Sequence, residues 1–343
     1  EDMVTIARLA DDFDVALVAR GGGASYTDAY LQDTAQSLTV DTSRMNRILE
    51  LNEVDMYVTV EPGISWSEMT AALSERGLRT PFWGPFSGLK ATVGGSASQN
   101  AVSLGSGTHG ISADSILSFE IVMPGGKTLK TGSAAMSTAS PFFRWYGPDL
   151  TGLFTGDAGV LGLKASITLR LIKNPTHKMA CSFGFDDFES MAAGAAAAAR
   201  LGVASENFGL DPKLQQGQLG STDNNQKIDA AKAVFKASRN PVDGLIKLIK
   251  MGLAGESFLK AYPFSMHFNV EGYSRAEVAT KLDMVRIAAK EYGHEIANTI
   301  PTVLMAMPFI PLYPILGPRG QRWVPMHGIM PFSRLKEFHK CLH

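Results

Sequence analysis

Through the first half of the chain, apolar residues come in short alternating blocks, and each block stops at glycine or proline. Residues 15–19 run into Arg20-Gly21-Gly22-Gly23, residues 37–40 end at Asp41, and residues 56–60 stop before Pro62-Gly63. This rhythm predicts strands. Residues 118–123 and 127–130 flank Pro124-Gly125-Gly126, which predicts a hairpin, and residues 165–172 alternate as a further strand. Helices are marked separately. Ser65 followed three residues later by Glu68 forms a capping box, and Gly77 is placed to end the turn, so the pattern predicts a helix over 66–76. Residues 1–9 read as a helix already under way.

Past Lys173-Asn174-Pro175 the texture changes. Residues 191–199 are alanine-rich, residues 242–259 place apolar side chains at helical spacing, and residues 265–270 form a strand pattern. Ser274 and Glu277 make a second capping box whose helix ends near Tyr292-Gly293, and a strand is expected around 295–298. The expected class is α+β, with a first domain over 1–175 and an α+β second domain over 176–343.

With 343 residues, 45% hydrophobic and 19% charged, the chain has material for a buried core, so disorder is excluded as its main state. Lys plus Arg number 32 against 33 Asp plus Glu, a net charge of −1, which speaks against a nucleic-acid partner. Two cysteines, Cys181 and Cys341, are too few for a disulfide framework and fit a reducing, cytoplasmic setting. The first residues show neither a basic nor an apolar leader pattern, and the absence of an initiating Met predicts that a part preceding Glu1 is missing. The apolar stretch 300–318 is interrupted by Pro301, Pro308, Pro311, Pro314 and Pro318, so it is not expected to span a membrane. It is expected to line a pocket; the alternative is a surface resting on a membrane or on another subunit.

The 34 glycines concentrate in three loops. These are Arg20-Gly21-Gly22-Gly23-Ala24-Ser25, then Thr92-Val93-Gly94-Gly95-Ser96 continuing to Gly105-Ser106-Gly107-Thr108-His109-Gly110, and Gly156-Asp157-Ala158-Gly159-Val160-Leu161-Gly162. Glycine lets successive backbone N–H groups converge on one anion, so a pyrophosphate is the expected guest, although single loops of this kind also serve as plain turns. Residues 105–110 match G-x-G-x-x-G, but a Rossmann site needs a helix after that motif and a strand follows at 116–123. Gly126-Lys127-Thr128 resembles the end of a P-loop, yet Ile121 stands where the first glycine is required. Both nucleotide readings fail.

These loops, with Asp41-Thr42-Ser43-Arg44-Met45-Asn46-Arg47-Ile48, Val60-Glu61-Pro62-Gly63 and Thr168-Leu169-Arg170-Leu171, resemble the FAD-linked oxidases of the vanillyl-alcohol oxidase and p-cresol methylhydroxylase type, especially their D-lactate and glycolate dehydrogenase branch. The resemblance covers residues 1 to about 175. It implies an FAD-binding domain followed by a substrate-covering cap domain. Its cofactor-binding residues would be Arg20, Gly21, Gly22, Gly23, Ala24 and Ser25 at the pyrophosphate, and Thr92, Gly94, Gly95, Ser96, Asn100, His109, Gly110 and Asp114 along the dinucleotide and flavin. Asp157, Gly159, Gly162 and Leu163 would close the adenine side. Side chains placed at Gly22 or Gly95 are expected to intrude on the pyrophosphate. Relatives that tether flavin to a first-loop histidine carry it where this chain has Ala24, so no covalent bond is expected there. The branch's metal-binding histidine clusters are not found, which implies either a different branch or a second domain that continues beyond His343.

Chemistry in the second domain is carried by fewer signals. Tyr313, Arg319, Arg322, Trp323 and His327 lie together in sequence, and a guanidinium fork beside an imidazole suits a 2-hydroxy carboxylate, with Arg322 on the carboxylate and His327 as base. His267 is a second candidate base, for which burial is the plainer reading. His339 and His343 flank Cys341 at helical spacing, but two ligands make no metal site. The expected function is hydride transfer from a small hydroxylated substrate, a 2-hydroxy acid such as D-lactate or glycolate, to FAD. The alternatives are oxidation of para-substituted phenols or a flavin-binding subunit without an active site of its own. Expected partners are the small-molecule substrate, an electron acceptor, and further copies or subunits of a complex.

Overall fold

The computed structural model describes residues 1–25, 27, 29–212, 224–238, 240–254, 261–311 and 328–342. Within it the chain divides into two compact units, Glu1–Asn174 and Pro175–His343.

The first unit opens with α1 (Asp2–Asp12), which buries Met3 and Ala7 in a small cluster with Val40, Val122 and Leu163. β1 (Ala16–Arg20) and β2 (Ser37–Asp41) pair in parallel, so the first glycine loop leaves the end of β1 and the chain must cross back before entering β2. β3 (Ile48–Asn52) and β4 (Tyr57–Val60) follow, and then α2 (Trp66–Ser74), where the Ser65 hydroxyl accepts from the Glu68 N–H and the Glu68 carboxylate accepts from the Ser65 N–H. β5 (Leu78–Arg79), α3 (Val93–Gln99), the single turn α4 (Ser106–His109), β6 (Ile116–Val122), β7 (Thr128–Lys130), α5 (Leu150–Leu153), β8 (Leu163–Arg170) and β9 (Ile172–Lys173) complete it. Five strands form one antiparallel sheet in the order β3-β4-β8-β6-β7. Its buried face carries Val58, Val60, Phe119, Ile121, Ile167 and Leu169, and Trp66 stands edge-on to Phe82 at 5.1 Å between ring centres.

In the second unit, β10 (His177–Phe185), α6 (Phe188–Ala199), β11 (Ala204–Leu210), α7 (Asn224–Lys236), α8 (Pro241–Ala254), β12 (Phe264–Gly272), α9 (Arg275–Lys290), β13 (His294–Ile296), α10 (Thr299–Ala306) and α11 (Leu335–Leu342) alternate along the chain. The sheet is antiparallel in the order β11-β12-β10-β13. Alternation sets its two faces apart. Cys181, Phe183 and Phe185 of β10 and Met266, Phe268 and Val270 of β12 pack against Ala198 of α6 and Val278, Leu282, Val285 and Ala289 of α9. The other positions of the same strands, Ser182, Ser265, His267, Asn269 and Glu271, are polar and also buried. Both units mix helix and sheet, as the α+β expectation requires.

Candidate functional site

The three glycine segments meet on α3. Sequence reading took 92–96 as a loop at a strand end; it is instead the start of a helix, with the Thr92 hydroxyl accepting from the Gly95 N–H at 3.1 Å as its N-cap. The stretch Val-Gly-Gly-Ser has poor helix propensity and no apolar stripe, so the only local signal was the capping threonine. The helix holds because Val93 and Ala97 are buried and because Gly94 lets it approach Pro62, where a Cβ would sit 2.7 Å from the proline side chain. Asn100 ends it in the left-handed conformation, φ 50° and ψ 54°.

The first loop lies against this helix start. A Cβ at Gly22 would fall 1.6 Å from the carbonyl oxygen of Lys90, and one at Gly21 would fall 2.4 Å from Oγ1 of Thr92. Thr27 donates to the Gln99 side chain at 3.1 Å, and Ser25 shares a hydrogen bond with Thr27 at 2.9 Å. Arg20 donates to Asp41 at 2.8 Å across β1 and β2, and Gly23 turns beneath the guanidinium with φ +63°. The third loop closes from the other side: Gly156 and Ala158 donate to the carbonyls of Ala97 and Ser98 at 2.9 and 2.8 Å. Gly159, at φ +83°, has only Ala19 Cβ at 3.7 Å and Ser98 Oγ at 3.9 Å near the position a Cβ would take. Those are ordinary van der Waals contacts, so it is the positive φ rather than crowding that favours glycine there.

Several of the expected ligand residues have partners within the loops. Asp157 is buried and accepts from Lys164 Nζ at 2.8 Å and from the Gly159 N–H at 3.0 Å; burial pushes the Lys164 ammonium down from its ordinary pKa while Asp157 opposes that. Ser96 accepts from the Trp66 indole at 2.7 Å, Leu163 belongs to the cluster under α1, and Gly162 lies where a Cβ would meet Ile121. Asp114 accepts from the Ile111 N–H at 2.8 Å and thereby shapes the turn containing His109 and Gly110, the latter at φ +81°. Glu61, held below the usual carboxylate range by Arg47's hydrogen bonds, ties the 41–48 and 60–63 motifs together, and Gly63 packs on the Thr42 carbonyl. These motifs build the frame on which the loops are mounted. Neither Gly22 nor Gly95 has a positive φ, so the reason for glycine at Gly22 is contact with Lys90 and at Gly95 the space beside Thr92.

The side-chain carbonyl of Asn100 is buried beside Gly156 with no hydrogen-bond partner among the described residues. An acceptor left so is costly unless a ligand donates to it. With Ser98 Oγ close to Gly159 and the first loop set against the start of α3, the surroundings of Asn100 are polar and suited to a dinucleotide.

The candidate bases of the second unit fare differently. Tyr313, Arg319, Arg322, Trp323 and His327 lie outside the described residues, as does His343. His267 is fully buried, its Nδ1 bonded to Ser182 at 2.8 Å and its Nε2 to Ser265 at 3.1 Å, with Phe208 tilted against the ring at 5.0 Å. Burial pushes its pKa down to about 3. It is a neutral core residue. His339 stacks on Phe188 at 4.0 Å, and no cluster of metal-ligating side chains occurs among the described residues. Burial likewise pushes the Cys181 thiol up to about 12, leaving it inert.

His267 has a consequence for pH. Its folded pKa lies below the unfolded value near 6.5, so between about pH 6.5 and 3 the unfolded chain takes up a proton that the folded unit refuses. Stability is therefore lost on acidification through that window, by at most about 1.4 kcal/mol per pH unit. Glu206, raised by burial and by Glu271, acts in the opposite sense over the upper part of the range. In thermal melts from pH 7 to 4, His267→Gln should show a shallower acid dependence than the parent; an unchanged slope would contradict the assignment.

Comparison with known proteins decides the cofactor. Residues 1–132 match the FAD binding domain. The chain carries an FAD-binding domain. It is similar to a mitochondrial D-lactate dehydrogenase (cytochrome) of Arabidopsis thaliana, 30% identical over 236 residues, covering 69% of this chain and 40% of the relative. It is also similar to the glycolate oxidase subunit GlcD of Bacillus subtilis (strain 168), 28% identical over 178 residues, 52% of this chain and 36% of the relative. The chain thus spans well under half the length of these relatives. A crystal structure of p-cresol methylhydroxylase with substrate bound shares the fold at a TM-score of 0.66 and 15% identity, covering 90% of this chain and 59% of that one. As in that resemblance, FAD is the cofactor the site on α3 suits.

Proposed function

We propose that this chain is the FAD-binding core of an oxidoreductase that oxidises a 2-hydroxy acid. The observation that carries this reading is the convergence of three glycine segments on α3 beside the unsatisfied Asn100 side-chain carbonyl. The named relatives act on D-lactate and glycolate, which favours a hydroxy acid. The bound flavin supplies the hydride acceptor. The backbone of residues 20–25 and 156–159 would hold the diphosphate and adenosine, with the N-terminal end of α3 between them, while Asn100 would accept a hydrogen bond from the ligand. Arg322 would orient the substrate carboxylate and His327 would take the hydroxyl proton as the hydride leaves. The second unit, Pro175–His343, would supply this substrate chemistry.

Two experiments test the reading. Acid precipitation should leave no flavin on the first-loop segment, because Ala24 offers no atom for a tether; flavin retained on a peptide containing residues 20–30 or 94–110 would contradict it. Anaerobic mixing of the full-length holoprotein with D-lactate, glycolate and p-cresol in turn should bleach the flavin only with a hydroxy acid. Bleaching by the phenol alone would transfer the assignment to phenol oxidation, and no bleaching by any substrate would favour a flavin-binding subunit.

A further inference from the structure

The α7–α8 hairpin carries a surface that the proposed chemistry does not use. On its inner side α8 buries Gly244 against Phe235 of α7, with Leu248 one turn on half-buried. Its outer side is apolar too: Val242, Leu245, Ile246 and Ile249 are 67%, 55%, 48% and 51% exposed. Their spacing of three and four residues puts them in one stripe. An ordinary surface helix carries polar groups there.

The charges around the stripe indicate what covers it. Among the described residues the hairpin holds Lys232, Lys236, Lys247 and Lys250 against Asp229 and Asp243, in a chain whose net charge is −1. Lys232, Lys236 and Lys250 are exposed, and Asp243 is engaged by Lys247 at 2.9 Å. A locally cationic helix pair with an exposed apolar stripe complements an anionic lipid surface, where the apolar side chains enter the acyl boundary and the lysine stems reach back to the headgroups. Two copies set stripe to stripe would instead bring like charges together. No described helix is long and apolar enough to cross a membrane, so the helix would lie in the interface. The proline-interrupted segment named from sequence as a membrane-resting surface does not compete for this role over its described part, because residues 300–310 are buried or half-buried.

We propose that α8 docks the protein on anionic membranes through Val242, Leu245, Ile246 and Ile249. In flotation assays the full-length holoprotein should rise with vesicles one-third phosphatidylglycerol in phosphatidylcholine and stay behind with phosphatidylcholine alone, and raising the salt to about 0.5 M should weaken binding. Ile246→Glu/Ile249→Glu should reduce vesicle binding by about tenfold or more, and Lys236→Gln/Lys250→Gln should reduce it severalfold. Both pairs are exposed, so flavin content and melting temperature should match the parent. Failure of the parent to bind phosphatidylglycerol vesicles, or equal binding by the Glu pair, overturns the proposal. So does a parent that sediments as a dimer while the Glu pair is monomeric and neither floats, which would assign the stripe to self-association.

Discussion

Gly22→Val should nearly abolish FAD retention. The position a Cβ would take at Gly22 lies 1.6 Å from the Lys90 carbonyl oxygen and 2.6 Å from its carbon, and both are backbone atoms. A flexible side chain could step aside; this segment cannot, because Ala91 and Thr92 lead directly into the cap of α3. Either the first loop lifts off or the start of the helix shifts, and each outcome separates the elements that form the site. Overpacking of this kind costs about 1–3 kcal/mol, which corresponds to roughly ten- to a hundredfold in affinity if it falls on the bound state. Gly95→Ala is the control, since a Cβ there meets only Thr92 Oγ1 at 3.2 Å, and it should retain more FAD than Gly22→Val. Titration of flavin-free protein, followed by flavin fluorescence, measures both. Parental affinity in Gly22→Val would show that the first loop does not hold the cofactor.

The contrast between those glycines shows which parts of the fold were readable beforehand. Strands and the two helix starts were legible because their signals are local: alternation over β8, the capping box of Ser65 with Glu68, and Ser274 as the N-cap of α9, where Glu277 accepts from Tyr273 rather than closing a box. The hairpin between β6 and β7 follows directly from Pro124-Gly125-Gly126. α3 was not legible, because its stability comes from tertiary contact, with Val93 and Ala97 buried and Gly94 against Pro62, rather than from propensity. For the same reason a glycine count identifies loops without distinguishing those that face a ligand from those that let two backbones touch. Gly63 and Gly94 are of the second kind, whereas a Cβ at Gly159 would make only ordinary contacts with Ala19 and Ser98. Nothing local in the sequence announces that Lys164 is the buried counter-ion of Asp157.

His327→Ala is expected to slow flavin reduction by about a hundredfold or more, the ordinary worth of a general base, with FAD still bound. On the proposed reading a 2-hydroxy acid loses a proton from oxygen as hydride leaves its carbon, and a neutral imidazole near ambient pH suits that step. His267 cannot take that role: both ring nitrogens are committed to Ser182 and Ser265, the ring is fully buried, and its pKa sits at about 3. The assignment to His327 therefore rests on its nearness in sequence to Arg322, whose planar fork matches a carboxylate. Arg322→Lys keeps the charge and loses the fork, so it should raise the substrate concentration needed for half-maximal reduction while leaving the flavin spectrum unchanged. Rapid mixing under anaerobic conditions separates the two effects, the rate at saturation reporting the base and the saturation curve reporting the carboxylate contact. A His327→Ala protein that reduces its flavin at the parental rate, or an Arg322→Lys protein that saturates as the parent does, would remove that residue from the site.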